Sequence, residues 1–322
     1  LSPLLKKDGL ETAYDKEMLD KAAVGYQGVI PSGMVNTHVM YINNRVLKSC
    51  GLAPAKTLDE LKAQIPVLAS KGKKPLLMAN AEPWVMQSTL FSDIAARLCG
   101  PDWLIKIKTG EKKFTDTDFV ASLALVKSLY TDGILGPETL TATYGDVPGP
   151  FLNDEYAYYI DGAWRISAIA PAQTEVQQAD ILLGVFPRIS DAAPALTSAA
   201  IADSGWGISA SVPAGSQRET AAWELIKWLE GKEAQEWRIK SFNTLIPSLE
   251  SVDVSALPVT PIQKSMAGFR SAYALDAPVI DNVLSGAVVD AINSSLQQIC
   301  NGTLSPEDAA AAIQNAWTTI TP

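Results

Sequence analysis

The sequence predicts a fold of the α/β class. Short apolar runs alternate along the chain with amphipathic helical stretches, a pattern typical of domains in which helices pack on a buried sheet. A hydrophobic fraction of 47% with only 19% charged residues fits a folded chain, because disorder needs low hydrophobicity and high charge. The 322 residues are enough for two ordinary domains or one large one.

Three helix starts are visible in the sequence. Thr57 with Glu60 and Ser216 with Glu219 have capping-box spacing, in which the hydroxyl and the carboxylate each accept a bond from a backbone amide of the first turn. Pro306 stands at the first position of a third helix, where its missing N–H costs nothing. Further helices are predicted over about residues 84–98, 116–130 and 279–300, and strands over 75–79, 156–160 and 181–186.

The charge balance disfavours two classes of partner. With 26 Lys and Arg against 35 Asp and Glu, the formal net charge is -9, whereas nucleic acids and anionic membrane surfaces attract basic proteins. The longest uncharged, largely apolar stretch, residues 192–202, is too short to span a bilayer and contains Pro194. We therefore expect a globular protein that binds no nucleic acid and no membrane surface.

The sequence contains no catalytic or metal-binding signature. His38 is the only histidine, and Cys50, Cys99 and Cys300 form no CxxC pair, so we expect three buried, inert thiols and no metal site. The motifs typical of hydrolases, metalloproteases and nucleotide-binding proteins are also missing from the sequence. We expect no catalytic residue and no cofactor. For His38, a structural role near a strand start and a ligand contact both remain open.

Five parts of the sequence together carry a family resemblance. They are GVIP at 28–31 with VMYINN at 39–44, CGL to TLDEL at 50–61, EPW at 82–84, IDGAW at 160–164, and SGWGIS at 204–209 with AAWELIKWL at 221–229. In this order they resemble the extracellular solute-binding proteins of carbohydrate ABC importers, the group that includes the maltodextrin-binding proteins. The resemblance extends nearly from end to end. Leu58 replaces the tryptophan that the family usually has in its second segment.

The resemblance implies a periplasmic-binding-protein-like fold with two discontinuous lobes and a helical C-terminal third. Residues 1–35 and 206–247 would belong to the N-terminal lobe, and residues 36–205 and 248–322 to the C-terminal lobe. In the family, a segment like residues 1–4 normally follows strands and helices of the first lobe, so we expect that lobe to be incomplete here. Crossing strands at about residues 34–40 and 203–208 would act as the hinge.

The same resemblance implies a sugar site between the lobes. Aromatic rings cover the C–H faces of a sugar, and polar side chains bond its hydroxyl groups. Because they lie in loops or at strand ends, Trp84, Trp164 and Trp206 are the predicted stacking residues. The predicted polar contacts are Asp203, Arg165, Asn36, Thr37, His38 and Asn243. For the tryptophans core packing, and for Arg165 pairing with a carboxylate, remain open alternatives.

The implied function is non-catalytic binding of a sugar or oligosaccharide and its delivery to the permease of an ABC transporter. The expected protein is a monomer in the periplasm or lipid-anchored at the outer face of the cell membrane. Two alternatives remain: the same fold binding a non-sugar solute, and a glycoside hydrolase that uses a carboxylate such as Asp154 or Asp203. Loop tryptophans near Asp and Asn favour a neutral polyol over an ion.

Overall fold

The computed structural model describes residues 1–23, 26–191, 193, 196–202, 204–241, 246–284 and 286–320. Within these residues the α-helices are α1 (Ser2–Lys7), α2 (Lys16–Ala22), α3 (Asn44–Ser49), α4 (Leu58–Ser70), α5 (Pro83–Met86), α6 (Ser92–Cys99), α7 (Trp103–Thr109), α8 (Thr117–Thr131), α9 (Gly149–Leu152), α10 (Ile166–Ala172), α11 (Glu175–Ala179), α12 (Gln217–Leu229), α13 (Lys232–Lys240), α14 (Pro261–Ala272), α15 (Ile280–Val283), α16 (Ala287–Cys300) and α17 (Pro306–Ile320). In this part of the chain no helix is long and apolar enough to cross a membrane.

The strands are short and distributed along the chain. They are β1 (Val29–Pro31), β2 (Gly33–Asn36), β3 (Val39–Asn43), β4 (Lys74–Leu77), β5 (Tyr156–Asp161), β6 (Ile181–Gly184), β7 (Thr197–Ala202), β8 (Gly205–Gly207), β9 (Ile246–Pro247) and β10 (Ala274–Ala277). A π-helical turn over Gln87–Phe91 joins α5 to α6, and the 3₁₀ turns cover Pro137–Leu140, Ala163–Arg165 and Val254–Ala256. The mixture of helices and strands confirms the predicted α/β class.

The predicted helix caps are present, with one difference. The Thr57 hydroxyl accepts a hydrogen bond from the N–H of Glu60 at 3.1 Å and so begins α4. The Glu60 carboxylate accepts from the N–H of Lys56 at 2.6 Å, one residue before the cap. Helix α12 begins in the same way at Ser216 and Glu219. The glutamate therefore stabilises the turn that enters each helix, and the reciprocal bond of a capping box is displaced by one residue.

The other predicted elements are mostly present. Strands β4, β5 and β6 lie where strands were predicted, and α8 corresponds to the predicted helix over 116–130. The predicted continuous helix over 279–300 is wrong, because α15 ends at Val283 and α16 begins only at Ala287. Gly286, between them, has φ +61°, a left-handed value that interrupts a right-handed helix.

The central sheet has the strand order β4-β5-β3-β6. Strands β4 and β5 are parallel, whereas β3 pairs antiparallel with both β5 and β6. Side chains alternate across this sheet, so Met40 and Ile42 of β3 pack into one apolar cluster while Val39 and Tyr41 pack into another. Both faces are therefore covered, which explains why β3 and β5 are buried along their whole length.

Two chain segments run side by side between the central sheet and the N-terminal part of the chain. One segment contains β1 and β2, and the other contains β7 and β8. Strand β1 pairs antiparallel with β8, and β2 pairs antiparallel with β7. Between these pairs, the N–H of Ser32 donates to the carbonyl of Ser204 at 3.1 Å, so the two segments stay together. The second four-stranded sheet has the order β10-β7-β2-β9 and contains both β2 and β7.

A separate apolar cluster lies beyond these crossing strands. Its buried members are Leu5, Tyr14, Ile30, Trp223 and Ile226. They come from the first 30 residues and from α12, and their cluster is distinct from the large clusters on the two faces of the central sheet. Two bodies with their own apolar cores are thus joined by paired strands, which is a two-lobe arrangement.

The cysteines are free thiols. Burial raises the pKa of the Cys99 and Cys300 thiols to about 12 in each case, so these two are protonated and inert at neutral pH. The prediction that all three are buried is wrong for Cys50, which is partly exposed after the end of α3.

Candidate ligand-binding site

Three aromatic side chains from separate segments converge near the end of β5. The rings of Trp84 and Tyr144 have their centroids 5.1 Å apart, and those of Trp84 and Trp164 are 6.2 Å apart. The ring planes are tilted by 56° and 51°, as is usual for favourable aromatic pairs. All three side chains are partly buried, so part of each ring still reaches solvent. We call Trp84, Tyr144 and Trp164 the aromatic cluster.

Local sequence places two of these rings. Pro83 and Trp84 form the first turn of α5, where proline is well tolerated. Strand β5 ends at Asp161, and the turn Ala163–Arg165 follows immediately. A Cβ atom at Gly162 would lie 2.3 Å from the Trp164 ring, so only glycine lets the indole fold back over the strand end.

The buried carboxylate of Asp161 organises the cluster. Its Oδ1 atom accepts from the N–H of Gly162 at 2.7 Å and from the indole N–H of Trp164 at 3.0 Å. Its Oδ2 atom accepts from Nε of Arg165 at 2.8 Å and from the hydroxyl of Tyr159 at 2.5 Å. Asp161 is fully buried, and these bonds replace the water that a buried carboxylate would lose.

Arg165 connects the strand end to the loop that carries Tyr144. One guanidinium nitrogen donates to the Tyr144 carbonyl at 2.6 Å, and the guanidinium carbon lies 3.4 Å from the centre of the Tyr144 ring. The indole of Trp164 donates to the Tyr144 hydroxyl, which itself donates to Asp161 at 3.3 Å. Burial raises the pKa of Tyr144, so the phenol keeps its proton at neutral pH.

Glu82 fixes the Tyr144 loop from the other side. Its Oε1 atom accepts from the backbone N–H of Tyr144 at 2.9 Å. Its Oε2 atom is buried beside the aromatic cluster with no hydrogen-bond partner. An unpaired buried carboxylate oxygen costs stability.

The aromatic cluster lies next to a crossing strand. The turn Ala163–Arg165 contacts β2, and the hydroxyl of Tyr41 in β3 donates to the Gly162 carbonyl at 2.8 Å. The end of β5 that carries Trp164 therefore lies beside β2 and β3.

Three predicted polar contacts are buried instead of facing a cleft. Asn36, Thr37 and His38 are each at most 1% exposed. The amide of Asn36 donates to the Ser198 hydroxyl at 3.4 Å, and that hydroxyl donates to the His38 carbonyl at 2.7 Å. In this conformation the segment ties β2 to β7, and a ligand contact by its side chains stays a prediction.

His38 is held as a neutral imidazole. Its Nδ1 atom lies 2.5 Å from the carbonyl of Thr89, which only accepts, so Nδ1 carries the proton. Its Nε2 atom accepts from the N–H of Phe186 at 2.9 Å. Burial lowers the pKa of His38 despite the nearby carboxylate of Asp93, while Arg97 also lowers it.

Because the pKa of His38 is lowered in the folded state, the unfolded chain binds this proton first. We expect the free energy of unfolding to fall as the pH drops below about 6.5, by at most roughly 1.4 kcal/mol per pH unit. Urea unfolding at pH 7.5, 6.0 and 5.0 measures this loss. His38 is the only histidine, so the His38→Asn variant is the control. Equal slopes for both proteins between pH 6.5 and 5 would contradict the assignment.

The other predicted site residues are spread out or undescribed. Arg165 lies in the network just described, paired with Asp161. Trp206 is 49% exposed on β8, opposite Ile30, and is not part of the aromatic cluster. Asp203 and Asn243 lie outside the described residues. The ligand roles of all four remain predictions.

Three residues of the site were not predicted: Glu82, Tyr144 and Asp161. Glu82 and Asp161 lie inside the segments that carried the family resemblance, two and three residues from the predicted tryptophans. Their closeness in sequence to the predicted tryptophans is the signal that could have identified them. Tyr144 lies in a loop of turn residues with no pattern that marks it.

Asp154, the carboxylate of the hydrolase alternative that the structure describes, has a structural role. It accepts hydrogen bonds from Arg45 at 2.9 Å and from Asn43 at 2.7 Å and so holds a turn.

The fold and the site define a two-lobe binding protein. The profile of the bacterial extracellular solute-binding protein family matches residues 3–263, and the chain belongs to this family. Members are binding proteins that act outside the cytoplasm, so the predicted extracytoplasmic location is confirmed at this level. Among curated proteins, no sequence matches the chain.

Solved structures share the fold at low sequence identity. A chitin oligosaccharide binding protein is 21% identical, with a TM-score of 0.86, over 99% of this chain and 77% of that one. The maltose/maltodextrin-binding domain MalE from Bdellovibrio bacteriovorus, bound to maltotriose, is 18% identical with a TM-score of 0.74, over 98% and 79% of the two chains. The bacterial solute receptor AcbH is 15% identical with a TM-score of 0.78, over 100% and 79%. These likenesses confirm the predicted two-lobe fold.

Proposed function

We propose that this chain binds a sugar or oligosaccharide at the aromatic cluster and delivers it to the permease of an ABC importer. The observation that carries the proposal is the convergence of Trp84, Tyr144 and Trp164 on a polar network that contains Glu82 and the buried carboxylate of Asp161. Aromatic faces suit the C–H patches of a pyranose ring, and polar side chains placed around such rings suit its hydroxyl groups. A neutral, ring-shaped polyol therefore fits this site better than an ion does.

The structural relatives support a sugar. The three relatives described above are named for chitin oligosaccharide, for bound maltotriose and for an exclusive preference for β-D-galactopyranose. Their ligands differ in linkage and length but share the pyranose ring. The proposal therefore commits to a pyranose-containing ligand and to non-catalytic binding.

The mechanism that we propose is closure of the two lobes over the sugar. We assign residues 1–35 and 206–247 to one lobe and residues 36–205 and 248–322 to the other. The separate apolar cluster around Trp223 and the paired crossing strands support this division. Closure by rotation about a few strand-end residues needs no change in either core. A ligand that contacts both lobes stabilises the closed form, which the permease would recognise.

We further propose that the protein acts as a monomer, in the periplasm or lipid-anchored at the outer face of the cell membrane. The extracellular family supports the location, and one structural relative is a probable secreted solute-binding lipoprotein from Streptomyces coelicolor.

Replacing Trp84 or Trp164 by alanine is expected to weaken sugar binding by at least about 2 kcal/mol, roughly 30-fold, because each removes a stacking face. Calorimetric titration with chitin oligosaccharides, maltotriose, xylo-oligosaccharides and galactose measures the affinity. The control is Trp237→Ala, since this tryptophan is 66% exposed on α13 and outside the cluster. The proposal fails if the folded wild-type chain binds none of these sugars, or if both cluster variants bind as tightly as wild type.

A further inference from the structure

A buried ion pair lies beside the crossing strands and takes no part in the sugar site proposed above. Glu230, directly after α12, is fully buried, and its Oε2 atom accepts from a guanidinium nitrogen of Arg238 in α13 at 2.9 Å. Its Oε1 atom accepts from the hydroxyl of Ser32 at 2.7 Å, and Arg238 also donates to this hydroxyl at 3.4 Å. We call Ser32, Glu230 and Arg238 the hinge anchor.

Ser32 lies in the middle of the paired crossing strands. Strand β1 ends at Pro31 and β2 begins at Gly33, so Ser32 is the residue that joins them. Its N–H donates to the carbonyl of Ser204 on the neighbouring segment at 3.1 Å, while its side chain donates to Glu230. The backbone of Ser32 therefore joins the two crossing segments, and its hydroxyl fixes both of them to the end of α12.

The carboxylate side of the hinge anchor belongs to the first lobe. The Glu230 carbonyl accepts from the side-chain amide of Gln235 at 2.9 Å and from the hydroxyl of Tyr14 at 3.4 Å. Tyr14 is a buried member of the apolar cluster that contains Trp223. A buried carboxylate without its partners is costly, so Glu230 and Arg238 stay bonded as the lobe moves.

A second buried ion pair holds the crossing strands at their other end. Asp93 accepts from the hydroxyl of Thr197, the first residue of β7, at 2.8 Å, and Arg97 donates to the Thr197 carbonyl at 3.1 Å. Both charged residues lie in α6, whose apolar side chains belong to a large cluster on one face of the central sheet. Strand β2 and the part of β7 that pairs with it lie between the two ion pairs.

We propose that Glu230 is a positioning residue for lobe closure, which acts through Ser32. It fixes the first-lobe end of both crossing segments, so the bend that accompanies closure is confined to β2 and to the residues of β7 that pair with it. This inference rests on the proposed function, because it needs two lobes that close over a sugar. A short hinge between two fixed ends restricts the direction of motion, so the lobes stay close to the arrangement that closes over the ligand.

Loss of the bond between Ser32 and Glu230 would lengthen the hinge. Strands β1 and β8 would then also be free to bend, and the lobes would adopt more relative orientations. Fewer ligand-free molecules would be within reach of the closed form, and the apparent affinity falls with the fraction of molecules that is competent to bind. An ion pair that only stabilised the first lobe would change the free energy of unfolding and leave the distance between the folded lobes unchanged.

Ser32→Ala tests the inference, because it detaches the crossing strands and leaves the pair of Glu230 and Arg238 in place. Spin labels at Ala63→Cys in α4 and Ala221→Cys in α12 are exposed and report the distance between the proposed lobes by double electron–electron resonance. A Cys50→Ser background removes the partly exposed native thiol. Without sugar, the distance distribution of Ser32→Ala is expected to be at least about twofold wider than that of the unaltered hinge.

The affinity for sugar is expected to fall with the widening of this distribution. Calorimetric titration with chitin oligosaccharides and maltotriose is expected to show at least about threefold weaker binding by Ser32→Ala, for whichever sugar the wild type binds. Glu230→Gln keeps the shape of the side chain and an oxygen acceptor for Ser32 but removes the charge, and is expected to give an intermediate width and affinity.

Two controls separate the hinge anchor from general effects on folding. Ser32→Thr keeps the hydroxyl and is expected to restore the wild-type width. Ser122→Ala removes the hydroxyl of another buried serine, which donates to the Asp118 carbonyl in α8, and is expected to change neither width nor affinity. The inference is overturned if folded Ser32→Ala has the wild-type distance distribution, or if Ser122→Ala widens it equally. A wider distribution in Ser32→Ala alone supports the inference even if no sugar binds, and in that case the proposed function fails by itself.

Discussion

Replacing Arg97 by methionine is expected to lower the free energy of unfolding by about 3–5 kcal/mol, the usual cost of breaking a buried ion pair from one side. The side chains of Arg97 and Asp93 are fully buried, 2.9 Å apart, on successive turns of α6. The guanidinium also donates to the carbonyls of Phe186 and Pro187, at 2.7 and 3.0 Å, and of Thr197 at 3.1 Å. Its loss leaves three carbonyls without this donor and the buried Asp93 carboxylate without its cation, with the Thr197 hydroxyl still donating to that carboxylate at 2.8 Å.

The effect is expected to be large because this one side chain joins α6 to the residues after β6 and to β7. Carbonyls 186 and 187 follow β6, and Thr197 is the first residue of β7, which crosses between the lobes. Urea unfolding followed by circular dichroism measures the loss. Removing both charges in Asp93→Asn/Arg97→Met is expected to cost less than the sum of the two single changes, since no buried charge is then left alone.

A surface arginine provides the matched control. Arg188 pairs with Asp191 at 3.7 Å, and both side chains are exposed, at 43% and 97%. Arg188→Met is expected to change stability by at most about 1 kcal/mol, as for other exposed ion pairs. If Arg97→Met costs no more than this control, the buried network does not hold the lobe together in the way its geometry indicates.

The fold elements were largely predictable because their signals are local. A cap hydroxyl such as Thr57 bonds an amide three residues away, and the apolar face behind it repeats every turn, so a short window of sequence contains the whole pattern. The wrong prediction of one continuous helix across Gly286 also follows from reliance on local signals. A glycine is compatible with a helix interior at a modest cost and also with a left-handed φ, so the residue alone does not say which conformation it adopts.

The candidate site was predictable only in part, because its bonds are long-range. Trp84 and Trp164 were predicted from loop positions in the family-like segments, and they do lie together. Their support comes from Tyr144, which is bonded by Glu82 from 62 residues away and by Arg165 from 21. No spacing rule connects such residues. Only the topology, in which the loop after α8 returns past the end of β5, brings them together.

The same limit explains His38. It stands just before β3, in the segment that the family resemblance predicts to cross between the lobes. Whether a side chain there faces the cleft or the interior depends on what packs over it. Here Thr89 and Phe186 occupy both ring nitrogens, and the carboxylate of Asp93 in α6 lies 3.5 Å from Nε2. The position of His38 in the sequence indicated a strand start, but the direction of its side chain could not be predicted from that position.

Replacing Asp161 by alanine is expected to lower both the stability of the protein and its affinity for sugar. In Asp161→Ala, Arg165 loses its partner and the indole N–H of Trp164 loses its carboxylate acceptor. We expect a loss of about 3–5 kcal/mol in the free energy of unfolding, because a buried positive charge remains. We also expect sugar affinity to fall at least tenfold, because the Trp164 ring is no longer fixed for stacking.

Tyr159→Phe separates these two consequences. It removes only the bond of 2.5 Å to Asp161 and leaves Trp164 and Arg165 in place. This variant is expected to lose about 1.5–3 kcal/mol of stability, the usual range for a hydrogen bond to a charged group, and to bind sugar as wild type does. Urea unfolding and calorimetric titration, carried out on both variants under conditions in which each is folded, give the comparison. If Asp161→Ala binds sugar with wild-type affinity, the orientation of Trp164 does not depend on this carboxylate, and the aromatic cluster does not need the polar network beneath it.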